Sequence, residues 1–437
     1  MLEVRPCSRL EGTASVPGDK SVSHRAAIVG ALAQGETTVH GFLESEDCLA
    51  TLHCLSQLGV SIERLGPGAY NICGRGGLGF EEPSDVLDCG NSGTTMRLLA
   101  GLLASQPFFS VLTGDASLRT RPMARVIRPL ESMGARICGR QSNTKAPLAI
   151  LGTSPLRGIS YMSPTASAQV KSAILLAGLA AEGKVSIQEP ALSRNHTELM
   201  LEHLGVPVVT KGSRITMEGG VVPKGSTIQV PGDISSAAFP MVAAAIIPNS
   251  DVVLQNVGVN PTRRGIIEVL LAMGADMTVS PMDQAGEPRA SIHIRGSSLR
   301  GIRVEGPIIP TLIDELPAIA VAAAYAQGTT VIKDAGELRV KECDRIAAMT
   351  QELSRLGVDI IEKPDGWVIQ GHGGAGIKGG RANGFGDHRV IMALAVLGLG
   401  ASSPLSIGGA GATEISFPGF THLFGRLGAS MEVSCSD

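Results

Sequence analysis

The run Pro17-Gly18-Asp19-Lys20-Ser21-Val22-Ser23-His24-Arg25 is a turn feeding a helix N-terminus. It places Lys20, Ser21 and Arg25 within about one and a half helical turns. Free backbone N–H groups, the positive end of the helix dipole and two cations together favour an anion. The run lacks GxxxxGK[ST], so it is not a nucleotide P-loop. By itself it fits an ordinary capped helix with solvated cations equally well. A second run, Asp88-Cys89-Gly90-Asn91-Ser92-Gly93-Thr94-Thr95-Met96-Arg97, has capping residues around Gly93. Such a helix start can bring its backbone close to a ligand, or it can be a capped loop and nothing more. In a third, Leu112 to Met123, Arg119 and Arg121 precede a Pro suited to a first helical turn, and either Arg could equally be a solvated charge.

Elements must hold these runs in place, and the chain repeats itself. Leu58-Gly59-Val60, Met133-Gly134-Ala135, Leu204-Gly205-Val206, Met273-Gly274-Ala275, Leu356-Gly357-Val358 and Leu427-Gly428-Ala429 each follow a helical pattern, and most precede alternating apolar residues. Gly at that position predicts a helix C-cap with positive φ. Upstream of each lies an Ala-rich apolar helix and a short strand, as in Ser23 to Gly35, Ala168 to Gly183 and Leu316 to Gly328. The unit reads helix, strand, helix, strand, strand, with a period of roughly 70–80 residues, far longer than solenoid repeats. Six copies span nearly the whole chain. Val16-Pro17-Gly18-Asp19 returns as Val230-Pro231-Gly232-Asp233, and a Pro-Gly turn suits a crossing between lobes. The expected lobes are 19–231, and 1–18 with 232–437, the first residues completing the second lobe as a strand. A binding cleft is expected between them.

The chain has 437 residues, too many for one ordinary core. A net charge of −3 gives no basic excess for nucleic acid. Its eight Cys include no CxxC pair and no neighbouring His cluster, which argues against a metal site or disulfide scaffold and for small buried thiols in a reduced compartment. The first residues have no apolar signal core, and apolar runs such as 237–248 and 390–400 are too short for a membrane span. We expect a cytoplasmic protein with no membrane or nucleic-acid partner. With no long apolar stripe in view, a monomer is expected.

The three runs, in this order, resemble the N-terminal signatures of the EPSP synthase family of enolpyruvyl transferases. The stretches 162–179 and Leu192-Ser193-Arg194-Asn195-His196-Thr197-Glu198 extend the resemblance. So do Ile313-Asp314-Glu315-Leu316-Pro317, Glu337 to Arg345 and Gly386-Asp387-His388-Arg389, so that it covers essentially the full length. It implies an α/β (α+β) fold, two lobes of three βαβαββ units each, arranged as an inside-out α/β barrel. It implies transfer of the enolpyruvyl group of phosphoenolpyruvate to the 5-hydroxyl of 3-phosphoshikimate, with no cofactor and no metal.

The resemblance also implies roles. Ser21 and Arg25 would bind the shikimate carboxylate end, and Ser167, the Ala168 backbone and Arg194 the 3-phosphate. Lys20, Asp314 and Lys341 would also face 3-phosphoshikimate. Gln169 would lie between the substrates. Lys20, Gly93, Arg121, Arg345 and Arg389 would hold phosphoenolpyruvate. Asp314 is the expected base and Glu342 the expected acid at carbon, with Lys20 sharing proton transfer; Glu342 could equally be an ion-pair partner of Lys341 or Arg345. The chain departs from the family in two places: no Lys precedes Phe417-Pro418, and Ala168 stands where others carry Ser. Both departures resemble the family's divergent second class. Gly93 keeps the small residue of the ordinary class, and Leu98 replaces that class's Pro. Two rival readings are a UDP-N-acetylglucosamine enolpyruvyl transferase and a non-catalytic anion-binding protein on the same repeats.

Overall fold

A computed structural model describes residues 1–282 and 286–434; Cys435 lies outside them. The chain divides into two compact units. One is Gly18–Pro231 with Ala285–Glu287, and the other joins Met1–Pro17, Gly232–Gln284 and Pro288–Asp437. Each unit holds three four-stranded sheets, and one topology recurs in all six. An edge strand pairs parallel with the next, and two antiparallel pairs follow. In the unit around Gly18–Pro231 the first sheet orders Thr227–Gln229, Gln34–His40, Ala69–Arg75 and Ser61–Gly66. Its second sheet orders Leu87–Asp88, Phe109–Thr113, Lys145–Leu151 and Arg136–Gly139.

The two Pro-Gly turns exchange edge strands. Glu11–Ser15 runs straight on to the helix Lys20–Leu32, yet it pairs parallel with Asp251–Gly258 of the other unit's set. Thr227–Gln229 precedes the helix Ile234–Ile246 but pairs with Gln34–His40. The N-terminal segment therefore supplies two strands rather than one. Leu2–Arg5 lies between Leu405–Gly408 and Ser430–Val433 in a different sheet from Glu11–Ser15.

Each repeat contains two kinds of helix. One kind is apolar all round and wholly or almost wholly buried, as in Ile234–Ile246, Leu316–Tyr325 and His388–Leu399, which pack on one another in one core. Lys20–Leu32, Gly93–Leu103 and Ala168–Gly178 fill the same position in the other core. A helix without a polar face must be enclosed, and small Ala and Gly side chains let such helices approach closely. The other kind is amphipathic and ends at the recurring Gly. All six of these glycines have positive φ: 83° at Gly59, 105° at Gly134, 83° at Gly205, 92° at Gly274, 91° at Gly357 and 97° at Gly428. A side chain there would strain the backbone, which is why Gly recurs.

Some boundaries differ from the expected ones. Asp19 caps its helix, which therefore starts at Lys20, and the helix ends at Leu32 because Gly35 already lies in the strand Gln34–His40. The third buried helix ends at Gly178, and Ala181–Glu182 is already a strand. Pro122 is not in a first helical turn: Leu118–Thr120 is a short 3-10 turn, and the helix starts at Ala124. The Met123 N–H donates to the Thr144 carbonyl at 2.7 Å, which delays that start. Among the described residues no helix is long and apolar enough to cross a membrane.

Candidate active site

The functional side chains cluster at helix N-termini, and in the unit around Gly18–Pro231 they form three groups. In the first, Asp19 Oδ1 accepts the Val22 N–H at 2.8 Å and fixes the helix start. Lys20 pairs with Asp47 of the neighbouring helix. Arg25 is buried and largely committed within the protein. Its Nε donates to Thr197 Oγ1 at 2.7 Å, Nη1 to the Ser21 carbonyl at 2.8 Å and Nη2 to Ser172 Oγ at 2.8 Å. Burial lowers its pKa to about 10, with Glu198 opposing, so it stays protonated at neutral pH.

The second group is built around Gly93. Ser92 Oγ accepts the Thr95 N–H at 3.1 Å and caps the helix. A Cβ on Gly93 would lie 2.8 Å from Arg97 Nη1 and 3.3 Å from Arg121 Nη1, so glycine allows two guanidinium groups to approach the backbone. Arg97 Nη1 donates to Gln169 Oε1 at 2.7 Å, and Gln169 Nε2 to Thr94 Oγ1 at 3.0 Å. Arg121 Nη2 donates to Asn91 Oδ1 at 2.5 Å, and Asn91 Nδ2 to Asp115 Oδ2 at 2.6 Å. Burial, then the charges of Arg125 and Arg121, lower the Arg97 pKa to about 9. Cations crowded and desolvated in this way gain from a bound anion.

In the third group Ser167 occupies the N-cap of Ala168–Gly178, but its hydroxyl makes no capping bond. The first-turn N–H groups of that helix have no carbonyl partner within it. The Ser167 N–H and the Ser193 N–H both donate to the Glu189 carboxylate, at 3.0 and 3.1 Å.

In the other unit Asp314 lies among three cations. Its Oδ1 is 3.6 Å from Arg345 Nη1 and 3.7 Å from Lys341 Nζ, and its Oδ2 is 3.8 Å from Arg263 Nη1. Arg389 Nη1 donates to the Asp314 carbonyl at 3.0 Å. Arg345 Nε donates to Asp387 Oδ2 at 2.8 Å and Nη2 to Glu342 Oε2 at 2.6 Å. Arg345 Nη1 is buried with no hydrogen-bond partner among the described residues. Asp387 Oδ1 also accepts the Arg389 N–H at 2.8 Å. Glu342 is half exposed and ion-paired to Arg345, and Lys341 Nζ lies 2.6 Å from Glu337 Oε1.

Residues 4–424 match the family EPSP synthase (3-phosphoshikimate 1-carboxyvinyltransferase). The chain belongs to the EPSP synthase family. It is 54% identical over 421 residues to the 3-phosphoshikimate 1-carboxyvinyltransferase of Desulforamulus reducens, covering 96% of this chain and 97% of that one. It is 54% identical over 427 residues to the protein of the same name from Desulforudis audaxviator, covering 98% and 99%. The EPSP synthase structure from Acinetobacter baumannii superposes with a TM-score of 0.95 at 48% identity, over 99% of both chains. The chain thus has the two-lobed α/β fold of the EPSP synthase family.

Sequence reasoning missed several residues around these family positions. Arg97 and Asp387 lie inside quoted runs, where charge beside a capping motif was the available signal. Asp47, Arg263 and Glu189 had no signal, because only the tertiary fold brings them to Lys20, Asp314 and Ser167. The stretch before Phe417-Pro418, where no Lys stands, follows on from the 3-10 turn Ala410–Ile415; the Ile415 side chain lies outside the described residues.

His388, next to Asp387, has its pKa lowered from 6.5 to about 4 by burial and then by Arg389, with Asp387 opposing. Below pH 6.5 the unfolded chain binds a proton that the folded chain refuses, so stability falls as pH drops from 6.5 toward 4. Buried His24, shifted well below 6.5 by desolvation and then by Lys20 and Arg25, acts in the same direction. Urea midpoints should therefore fall between pH 7 and pH 5, and His388→Asn should flatten part of that slope. An unchanged slope in the variant would remove His388 from this role.

Proposed function

We propose that the chain transfers the enolpyruvyl group of phosphoenolpyruvate to the 5-hydroxyl of 3-phosphoshikimate, releasing phosphate. Full-length similarity to proteins named for this activity supports the reading. The observation that carries it is the group around Asp314: one carboxylate among three cations, with a buried Arg345 Nη1 that makes no hydrogen bond among the described residues. A buried donor that makes no hydrogen bond is costly, and an anionic substrate oxygen would supply one.

In this reading Ser167, the Ala168 backbone and Arg194 take the 3-phosphate. Ser21 and Arg25 face the carboxylate end, with Lys341 also toward 3-phosphoshikimate. Arg25 acts through the N–H groups not already donated to Ser21, Ser172 and Thr197. Lys20, Gly93, Arg121, Arg345 and Arg389 receive phosphoenolpyruvate, and Gln169, clamped by Arg97 and Thr94, lies between the substrates. Asp314 accepts the 5-hydroxyl proton as that oxygen bonds to C2 of phosphoenolpyruvate. Glu342, with Lys20, delivers a proton to C3, which becomes a methyl group. The tetrahedral adduct then loses a methyl proton and expels phosphate, restoring the double bond. Anions that draw Lys341 and Arg345 toward themselves leave Asp314 more basic when proton transfer begins.

Phosphate release should require 3-phosphoshikimate and phosphoenolpyruvate together. Release with UDP-N-acetylglucosamine as acceptor, and none with 3-phosphoshikimate, would favour the rival transferase instead. The reading makes the protein a cytoplasmic monomer whose cations do the work of a metal, so turnover should be unchanged by EDTA; restoration of activity only by added divalent ion would contradict it. Gly93→Ala should raise the KM for phosphoenolpyruvate at least about tenfold, because the new Cβ displaces Arg97 and Arg121, while the KM for 3-phosphoshikimate changes little. Equal changes in both would detach Gly93 from the phosphoenolpyruvate site.

A further inference from the structure

We propose that Glu189 is a positioning residue that sets the geometry of the 3-phosphate site, an inference that rests on the function proposed above. Glu189 follows the strand Lys184–Gln188, and its N–H donates to the Ser213 carbonyl at 3.0 Å, so it is anchored to a sheet. Its carboxylate gathers two irregular loops. Oε1 accepts the Ser167 N–H at 3.0 Å and the Ser193 hydroxyl at 2.7 Å, and Oε2 accepts the Ser193 N–H at 3.1 Å. Ser167 immediately precedes Ala168, and Ser193 immediately precedes Arg194. The residues assigned to the 3-phosphate on two separate loops are thus fixed to one another through a single carboxylate.

The carboxylate is held in turn by Lys171. Lys171 Nζ lies 3.1 Å from Glu189 Oε2 and 2.7 Å from Glu198 Oε1, and it donates to the Ser193 carbonyl at 3.2 Å. The side chains of Lys171, Glu189 and Glu198 are only 1%, 1% and 3% exposed. Buried ion pairs of this kind seldom add net stability over apolar packing, so stability alone does not account for the arrangement. Bonds from its carboxylate to the two loops that would grip the phosphate do account for it. One bond to each loop comes from a backbone N–H, that of Ser167 and that of Ser193, so these two orient the loops whatever their side chains do. Glu189 itself does not touch substrate; it aims the groups that do.

The test compares wild type with Glu189→Gln, which keeps the shape and removes the charge. Calorimetric titration should show 3-phosphoshikimate bound at least about tenfold more weakly, with unphosphorylated shikimate bound as before. The KM for phosphoenolpyruvate at saturating 3-phosphoshikimate should stay within about twofold. The phosphorus NMR resonance of the bound 3-phosphate should move toward its free position. Unchanged 3-phosphoshikimate affinity in the folded variant would overturn the proposal, as would an equal loss for shikimate. If Glu189→Gln does not fold, Ser193→Ala deletes only the hydroxyl contact and should still weaken 3-phosphoshikimate relative to shikimate; no difference there would also overturn it. A wild-type chain that binds no 3-phosphoshikimate would defeat the functional reading itself, which is a separate result.

Discussion

Asp314→Asn is expected to lower kcat by about a thousandfold, the middle of the range for a lost general base, while 3-phosphoshikimate binds within about tenfold of wild type. Asn keeps the shape, so Lys341, Arg345 and Arg263 keep their places. What is lost is the acceptor for the 5-hydroxyl proton. The charge is lost too, leaving three cations without the carboxylate they surround. Those cations then attract anionic substrates more strongly, which is why affinity should hold while turnover collapses. Steady-state kinetics and calorimetry on the same preparation separate the two. Turnover near wild type would remove Asp314 from the role of base, and lost affinity with normal turnover would make it a binding residue only.

Arg345→Met is expected to cost about 3–5 kcal/mol of stability and to abolish turnover, because it leaves a buried carboxylate unpaired. Asp387 is fully buried, and the Arg345 charge holds its pKa below the ordinary value although burial pushes the other way. Adding Asp387→Asn should recover most of the lost stability. Asn keeps the helix cap that Asp387 provides to Arg389 and Val390. Turnover should not return, because no cation replaces Arg345 at phosphoenolpyruvate. Denaturant melts give the stability and phosphate release the activity. Recovery of both together would reduce Arg345 to a structural ion pair, and recovery of neither would mean the buried pair is not the main source of the loss.

Much of the fold was legible because the repeat rests on local physics. A helix ending in a positive-φ Gly can be seen in sequence wherever it occurs, and all six predicted caps have that backbone. The edge strands were harder. Leu87–Asp88 and Thr227–Gln229 are too short to show alternation, and Thr227–Gln229 pairs with Gln34–His40, far back in the sequence. The exchange of Glu11–Ser15 and Thr227–Gln229 between the two sets of sheets therefore had no signature beyond the paired Pro-Gly turns.

The site divides in the same way. Lys20, Arg121 and Arg345 stood out as cations beside capping motifs. That Arg25 would be buried and mostly committed to Thr197, Ser172 and Ser21 was not visible, since its partners lie far along the chain. The half-exposed Glu342 pairs with Arg345, which was one of its two sequence-level readings; that contact leaves the acid role to kinetics. Arg263 and Glu189 are positioned by tertiary contacts alone, and nothing in their local sequence sets them apart from other charged residues.

The most direct test follows carbon rather than phosphate. The protein is mixed with 3-phosphoshikimate and phosphoenolpyruvate labelled with carbon-13 in its three-carbon unit, and the products are read by NMR. The account predicts that the labelled carbons appear in a vinyl ether on the 5-oxygen of 3-phosphoshikimate, with one phosphate released per ether formed. Label remaining in phosphoenolpyruvate, or leaving as pyruvate without joining the acceptor, would contradict it.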